Sequence, residues 1–182
     1  MPEARLEDTG FGLAPAADGW FVLNARDAVW LRLDRRGTRC DFETEAHSFP
    51  QLGIGLHVLE PGEPAGLYHA ESEQEAFLVL SGQCRLLVEG LERLLAPWDF
   101  FHCPPGVEHI IVGAGDGPSV ILMTGTRSED STVRYPVSES AARYGASVDE
   151  ETSDPDRAYA GFQLGRWERP PSWSSLPWAV HE

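Results

Sequence analysis

Lysine is missing from this chain altogether: all fourteen basic residues among its 182 are arginine. That excludes Schiff-base chemistry and a lysine general base at once. Cysteine is scarce. Cys40, Cys84 and Cys103 are an odd set without C-x-x-C spacing, so they read as free thiols and not as a disulfide framework. No stretch approaches the roughly 20 apolar residues that a membrane-spanning helix needs. The N-terminal segment MPEARLEDTGFGLAPAADG lacks a basic start followed by an apolar run, so no secretory leader is expected and the expected location is the cytoplasm. Positive charge is also short: 14 basic against 29 acidic residues give a net charge of −15. Such a surface repels nucleic acid and anionic lipid, and neither is expected as a partner.

What is present points to a β protein. Apolar residues make up 42% of the chain, enough for a buried core, and 18 Gly with 14 Pro imply many turns. From residue 50 onward short apolar runs alternate with turn signals. LGIGLHVLE ends at Pro61-Gly62, EAFLVL at Ser81-Gly82, QCRLLVE at Glu89-Gly90 and LERLL at Ala96-Pro97. FFHC ends at Pro104-Pro105-Gly106, HIIV at the glycine-rich loop 113–117, and SVILMT closes the series. This spacing reads as an antiparallel sandwich or barrel, not as βαβ units, and no helical periodicity competes between 50 and 125.

The flanks differ. WFVLNA (20–25) and AVWLRLD (28–34) are expected strands added to the barrel. SESAARYGA (138–146) and DPDRAYAGF (154–162) read as short helices, the second with Asp154 suited to the N-cap and Pro155 to the first helical position. The tail WERPPSWSSLPWAV carries Trp167, Trp173 and Trp178 among prolines. It reads as an extended strap packed on the barrel or on a second subunit, because three tryptophans left in water would be an unusual apolar patch.

The chemistry concentrates in LYHAESEQEAFLVLSG, residues 67–82. On a strand, residues two apart share a face, so His69 and Glu71 point the same way, and Glu75, Phe77 and Val79 share their parity. The segment PPGVEH turns the chain at Pro104 to Gly106 and brings in His109. Two imidazoles with one or two carboxylates suit a divalent transition ion such as Fe(II), Mn(II), Zn(II) or Ni(II), with positions left open for a substrate or dioxygen.

These motifs resemble the cupin family. Its first motif runs Gly, spacer, His-x-His, a few residues, Glu, six residues, Gly; this chain offers Gly62, His69-x-Glu71, Glu75 and Gly82. In the second motif, Trp98-Asp99 stands where Gly-Asp is usual, Pro104-x-Gly106-x-x-His109 follows, and Gly113 takes the place of Asn. The resemblance implies an all-β, cupin-type double-stranded β-helix, that is, a jelly-roll barrel. The expected organisation is an N-terminal extension with added strands over 1–49, the barrel over 50–126, and short helices with the Trp/Pro-rich strap over 127–182. It also implies His69, Glu75 and His109 as metal ligands, and a homodimer contacting through its first strands and the strap. Glu71 carries over by position only, since the family has histidine there. If Glu71 ligates, the set becomes two His and two carboxylates and favours harder ions; if not, two His and one carboxylate remain, and Glu71 is then a candidate catalytic base.

Other residues carry less. Glu73 reads as part of a solvated loop, His57 and His102 as residues of the cavity wall, and Cys103 as a small buried hydrophobe. Trp98, Phe77, Phe100 and Phe101 are candidates for an aromatic pocket. Arg85 and Arg93 are candidate anion binders only if they face inwards. The sequence thus supports a metal-binding small-molecule enzyme, either oxygen-dependent or an isomerase or epimerase. The alternative is a non-catalytic module that binds a small ligand.

Overall fold

The computed structural model describes residues 1–181, and short strands carry most of their regular structure. The N-terminal part supplies β1 (Leu6–Asp8), β2 (Leu13–Pro15), β3 (Leu31–Arg32) and β4 (Thr38–Cys40). The barrel follows with β5 (Leu52–Leu59), β6 (Ala70–Glu71), β7 (Glu75–Ser81), β8 (Gln83–Val88), β9 (Leu91–Leu95), β10 (Phe100–Cys103), β11 (His109–Ala114) and β12 (Ser119–Thr126). After it come β13 (Val133–Arg134), the one-turn helices α1 (Glu139–Ala142) and α2 (Pro155–Ala158), and β14 (Arg166–Trp167).

Two sheets form the barrel. The larger runs β10-β7-β12-β5-β4-β3-β14 and the smaller β11-β8-β9, with antiparallel pairing throughout. The antiparallel barrel expected from the turn spacing, and the jelly roll that the resemblance implies, are therefore the fold. Strand alternation sorts the apolar side chains into two layers. Phe77, Val79, Leu86, Ile111 and Ile121 fill the space between the sheets. Leu56, Val58 and Val120, on the other face of the same strands, pack against Trp30, Cys40 and Leu176. Polar positions on the inner face of β4 and β5 are what leave the barrel a cavity instead of a solid core.

Glycine is required where strands pass closely. Gly82 turns β7 into β8 at φ +71°, and a Cβ there would stand 2.2 Å from the Pro118 carbonyl oxygen. Gly113, the departure from the family's Asn, exchanges backbone hydrogen bonds with the loop after β5 (Gly62 N to Gly113 O, 2.8 Å; Gly113 N to Glu63 O, 2.8 Å). A Cβ on it would meet the Glu60 carbonyl oxygen at 2.2 Å, so no side chain fits.

The flanks correct three expectations. Residues 20–25 are not a strand: Trp20 makes one isolated bridge to Glu3, and Trp20 and Val22 are exposed. Among the described residues no strand pairs along 21–25, and Asn24 ends the run by accepting from the backbone of Arg26, Asp27 and Ala28. Residues 28–34 shorten to β3, with Trp30 fully buried beside it. The strap is not extended, because its residues 173–175 and 177–181 coil into 3₁₀ turns. Trp173 and Trp178 do pack as expected, 5.9 and 5.4 Å from the Trp30 ring, whereas Trp167 lies exposed on β14. The two short helices form where expected, and Asp154 caps α2 by accepting from Asp156 N at 3.0 Å.

Candidate metal centre

His69 and His109 are brought face to face by the backbone. They form an antiparallel bridge, His69 N donating to His109 O at 3.1 Å and His109 N to His69 O at 2.8 Å. Directly opposed residues of an antiparallel pair project to the same side, so the imidazoles lie with ring centroids 4.8 Å apart. Gly106 N donates to Glu71 O at 2.7 Å and ties the Pro-Pro-Gly turn to the same strand.

Glu75 arrives differently from the continuous strand that parity suggests over 67–80. The chain leaves β6 after Glu71, loops through Ser72–Gln74, and re-enters the sheet as β7 at Glu75. Glu73 is left outside, where it accepts from Thr126 Oγ1 and Ser128 Oγ, as a solvated loop residue should. Gly125 on β12 stands opposite Glu75 and leaves ordinary contact distance to its Cγ.

Ligand atoms of His69, Glu75 and His109 lie within 4.8 Å of one another. Glu75 Oε2 is 3.3 Å from His109 Nε2 and 4.0 Å from His69 Nε2, and Glu71 Oε1 is 3.7 Å from His69 Nε2. The other ring nitrogens face away. Nδ1–H of His69 donates to Leu67 O at 2.7 Å, and that of His109 to Val107 O at 3.0 Å. A carbonyl can only accept, so both rings carry their proton on Nδ1 when neutral and present an Nε2 lone pair to the centre. Burial pushes His109 down to about 4 and also lowers His69, which keeps both neutral. Burial, and then the nearby Glu71, push the Glu75 carboxyl up to about 8. His109 Nε2 and Glu75 Oε2 are buried without a hydrogen-bond partner. Unpaired buried polar atoms are costly, and two of them converging with the Nε2 of His69 is the arrangement that a divalent cation satisfies. The residues present therefore fit such an ion.

The surroundings hold His109 in place. Cys103 Sγ is 3.4 Å from its Nδ1, and Phe77 and Phe101 pack at ring distances of 5.4 and 5.7 Å. Cys103 is pushed up to about 12 by burial, in keeping with a packing role and not a nucleophilic one. Trp98 and Phe100 turn outward and are exposed, so of the four candidates Phe77 alone lines the cavity, with Phe101 packed behind it. His102 is exposed on β10. Arg85 pairs with Glu92 outside the cavity, and Arg93 is exposed.

The centre lines a cavity of about 270 Å³, which also takes in His57, Arg39, Met123 and Tyr159. Arg39 and Tyr159 escape a sequence reading. Arg39 lies on β4 and is placed by pairing with β3 and β5, opposite Leu31 and His57. Tyr159 follows α2 and reaches back to accept from Leu67 N at 3.2 Å. No local pattern marks either one.

Residues 55–125 match the family model described as the cupin domain. Among solved structures, a candidate sugar phosphate isomerase from Acidithiobacillus ferrooxidans is 32% identical over 53% of this chain, at a TM-score of 0.48. The match spans 64% of that protein, less than two thirds of its length. A sugar phosphate isomerase of the cupin superfamily from Silicibacter pomeroyi is 26% identical over 63% of this chain and 81% of its own, at a TM-score of 0.56. A polyketide cyclase from Streptomyces resistomycificus shares the fold at 16% identity and a TM-score of 0.50, covering 61% of this chain and 89% of its own. No curated protein matches significantly.

Proposed function

We propose that this chain, which belongs to the cupin superfamily through residues 55–125, is a metal-dependent enzyme that isomerises or epimerises a small hydroxy-carbonyl compound. The observation that carries the reading is the convergence of His69, Glu75 and His109 on one buried point, with two of their atoms left unpaired. These three residues would hold the ion. A divalent cation so held supplies a Lewis acid that polarises a carbonyl or hydroxyl oxygen of the substrate.

The chain's own residues do the rest. Glu71 stands beside His69 at the cavity edge, half-exposed, where its carboxylate can take a proton from the carbon next to a carbonyl and return it to either face. Phe77 and Phe101 shield the His109 side from water, and Tyr159 lines the cavity beside Gly66. The likeness to the Silicibacter isomerase supports isomerisation over other chemistries. Oxygen-dependent chemistry is the second reading, favoured by the two-His, one-carboxylate set. The competing class is a small-ligand-binding module without catalysis. No helix among the described residues is long and apolar enough to cross a membrane.

The test is elemental analysis of untagged protein purified without chelator, beside His109→Ala and Glu71→Gln. About one equivalent of a transition metal, lost in His109→Ala and kept in Glu71→Gln, is expected. With hydroxy-carbonyl substrates in deuterium oxide under anaerobic conditions, the wild type should place deuterium at the carbon next to the carbonyl, and Glu71→Gln should not. Activity that appears only with dioxygen would select the second reading. No metal after anaerobic reconstitution would sink both.

A further inference from the structure

The cavity has a second polar wall, away from the metal centre. Arg39 on β4 and His57 on β5 are direct register partners, and both line the cavity. Their strand neighbours Thr38, Cys40, Leu56 and Val58 are buried on the other side, which leaves these two as the inward-facing positions.

Neither side chain has its hydrogen bonds made. Nδ1 of His57 is buried without a partner. Arg39 Nε is buried and lies 3.0 Å from Asp41 Oδ2, but out of line for a hydrogen bond. Among the described residues no aligned acceptor meets any of its N–H groups. The contrast with Arg127, on the same cavity, is direct. Arg127 is clamped by Glu43 at 2.6 and 3.0 Å and by Phe49 O at 2.9 Å, so three of its five donors are engaged. Asp41 is the acidic neighbour of Arg39 on this wall; burial raises its carboxyl above the ordinary range and the guanidinium lowers it. The wall is kept clear by glycine: at Gly55 a Cβ would meet Cys40 O at 2.9 Å and Asp41 Oδ1 at 3.1 Å.

We infer that Arg39 and His57 form an oxyanion subsite that anchors a carboxylate or phosphate group of the substrate whose reacting end sits at the proposed metal centre; the inference rests on that reading of the site. Arg39 offers a planar fork of donors suited to two oxygens of one anionic group. His57, pushed down to about 3 by burial and then by Arg39, stays neutral and donates one N–H without adding charge. A cavity of about 270 Å³ limits the substrate to a small molecule, with the anionic group and the reacting oxygen in one compact frame. The subsite thus selects small anionic hydroxy-carbonyl compounds over neutral sugars of the same size.

The test titrates inorganic phosphate, and separately malonate, into the full chain loaded with Mn(II), comparing wild type with Arg39→Gln and Arg39→Lys by calorimetry. Metal content is measured in each. The expected result is binding of at least one anion that weakens about tenfold or more in Arg39→Gln, with metal content unchanged. Arg39→Lys keeps a charge beside Asp41 but loses the fork, so it decides the matter if Arg39→Gln does not fold, and an affinity several-fold weaker is expected. Preference for phosphate or for malonate identifies the oxyanion. Equal affinity with and without the guanidinium, or no anion binding by the wild type, overturns the subsite and leaves the metal centre standing. Arg39-dependent anion binding by a protein that takes up no metal upholds the subsite and removes the proposed enzyme.

Discussion

If the proposed centre takes up a divalent ion, uptake should release a proton, and the amount is set by Glu75. In the metal-free protein its carboxyl is pushed up to about 8 by burial and by Glu71, against an ordinary value of 4.5. The imidazoles contribute nothing near neutrality: His109 sits at about 4 and His69 is lowered too, so both are already deprotonated at Nε2. At pH 7 a group with a pKa of about 8 is about nine-tenths protonated, and at pH 8.5 about one quarter. A cation needs the ionised carboxylate, so about 0.9 proton should leave per ion at pH 7 and about 0.25 at pH 8.5. Calorimetric titration with Mn(II) under anaerobic conditions, in buffers of different ionisation enthalpy, measures this directly. Mn(II) is preferred to Zn(II), whose bound water ionises near pH 7 in protein sites and would add about one proton of its own. Glu75→Gln should abolish the release along with tight binding. The same group makes the metal-free fold sensitive to base. Its stabilising contribution is complete below 4.5 and is lost as pH rises through about 8, and bound metal should remove that loss. Release near zero at pH 7, or unchanged between pH 7 and 8.5, would refute the assignment of Glu75 as the ionising ligand.

Three further outcomes follow from packing and backbone. Trp30→Ala should cost about 3–5 kcal/mol in denaturant unfolding, because Trp30 is fully buried and carries Trp173 and Trp178, and the strap's tryptophan fluorescence should shift towards that of exposed indole. Trp98→Gly should be neutral or stabilising by up to about 1 kcal/mol in thermal melting, since Trp98 is exposed and held at φ +76°, a conformation that suits glycine; a marked loss of stability would show that the indole is held by contacts. The thiols Cys40, Cys84 and Cys103, all buried and pushed up to about 12, should resist a thiol reagent at pH 8 and react together only on unfolding.

How much of this was legible in the sequence varies by element. Between residues 50 and 126 turn chemistry does most of the work. Gly82, Gly90 and Gly106 each adopt positive φ at a strand end, so the punctuation of the sequence is the punctuation of the barrel. At the centre the motif spacing named His69, Glu75 and His109, but strand parity did not place Glu75, which re-enters the sheet on β7 after the Ser72–Gln74 loop. The flanks resisted too. Whether the apolar run at 20–25 becomes a strand depends on a sheet edge beside it, and among the described residues only Trp20 is paired, in an isolated bridge to Glu3. Trp167, Trp173 and Trp178 look alike in sequence, yet two are covered and one is exposed.

The sequence by itself determined the barrel and the turns that close it, since turn chemistry and strand alternation are local, and its likeness to the cupin motifs put forward His69, Glu75 and His109 as a set. Only the tertiary structure decided that Glu71 stands at the cavity edge and Glu73 outside it, because the Ser72–Gln74 loop breaks the strand between them and Glu75. It alone brought in Arg39 from β4 and Tyr159 from beyond α2. Both come from segments far along the chain, and their direction is set by the strand or loop they pack against, which no local pattern encodes.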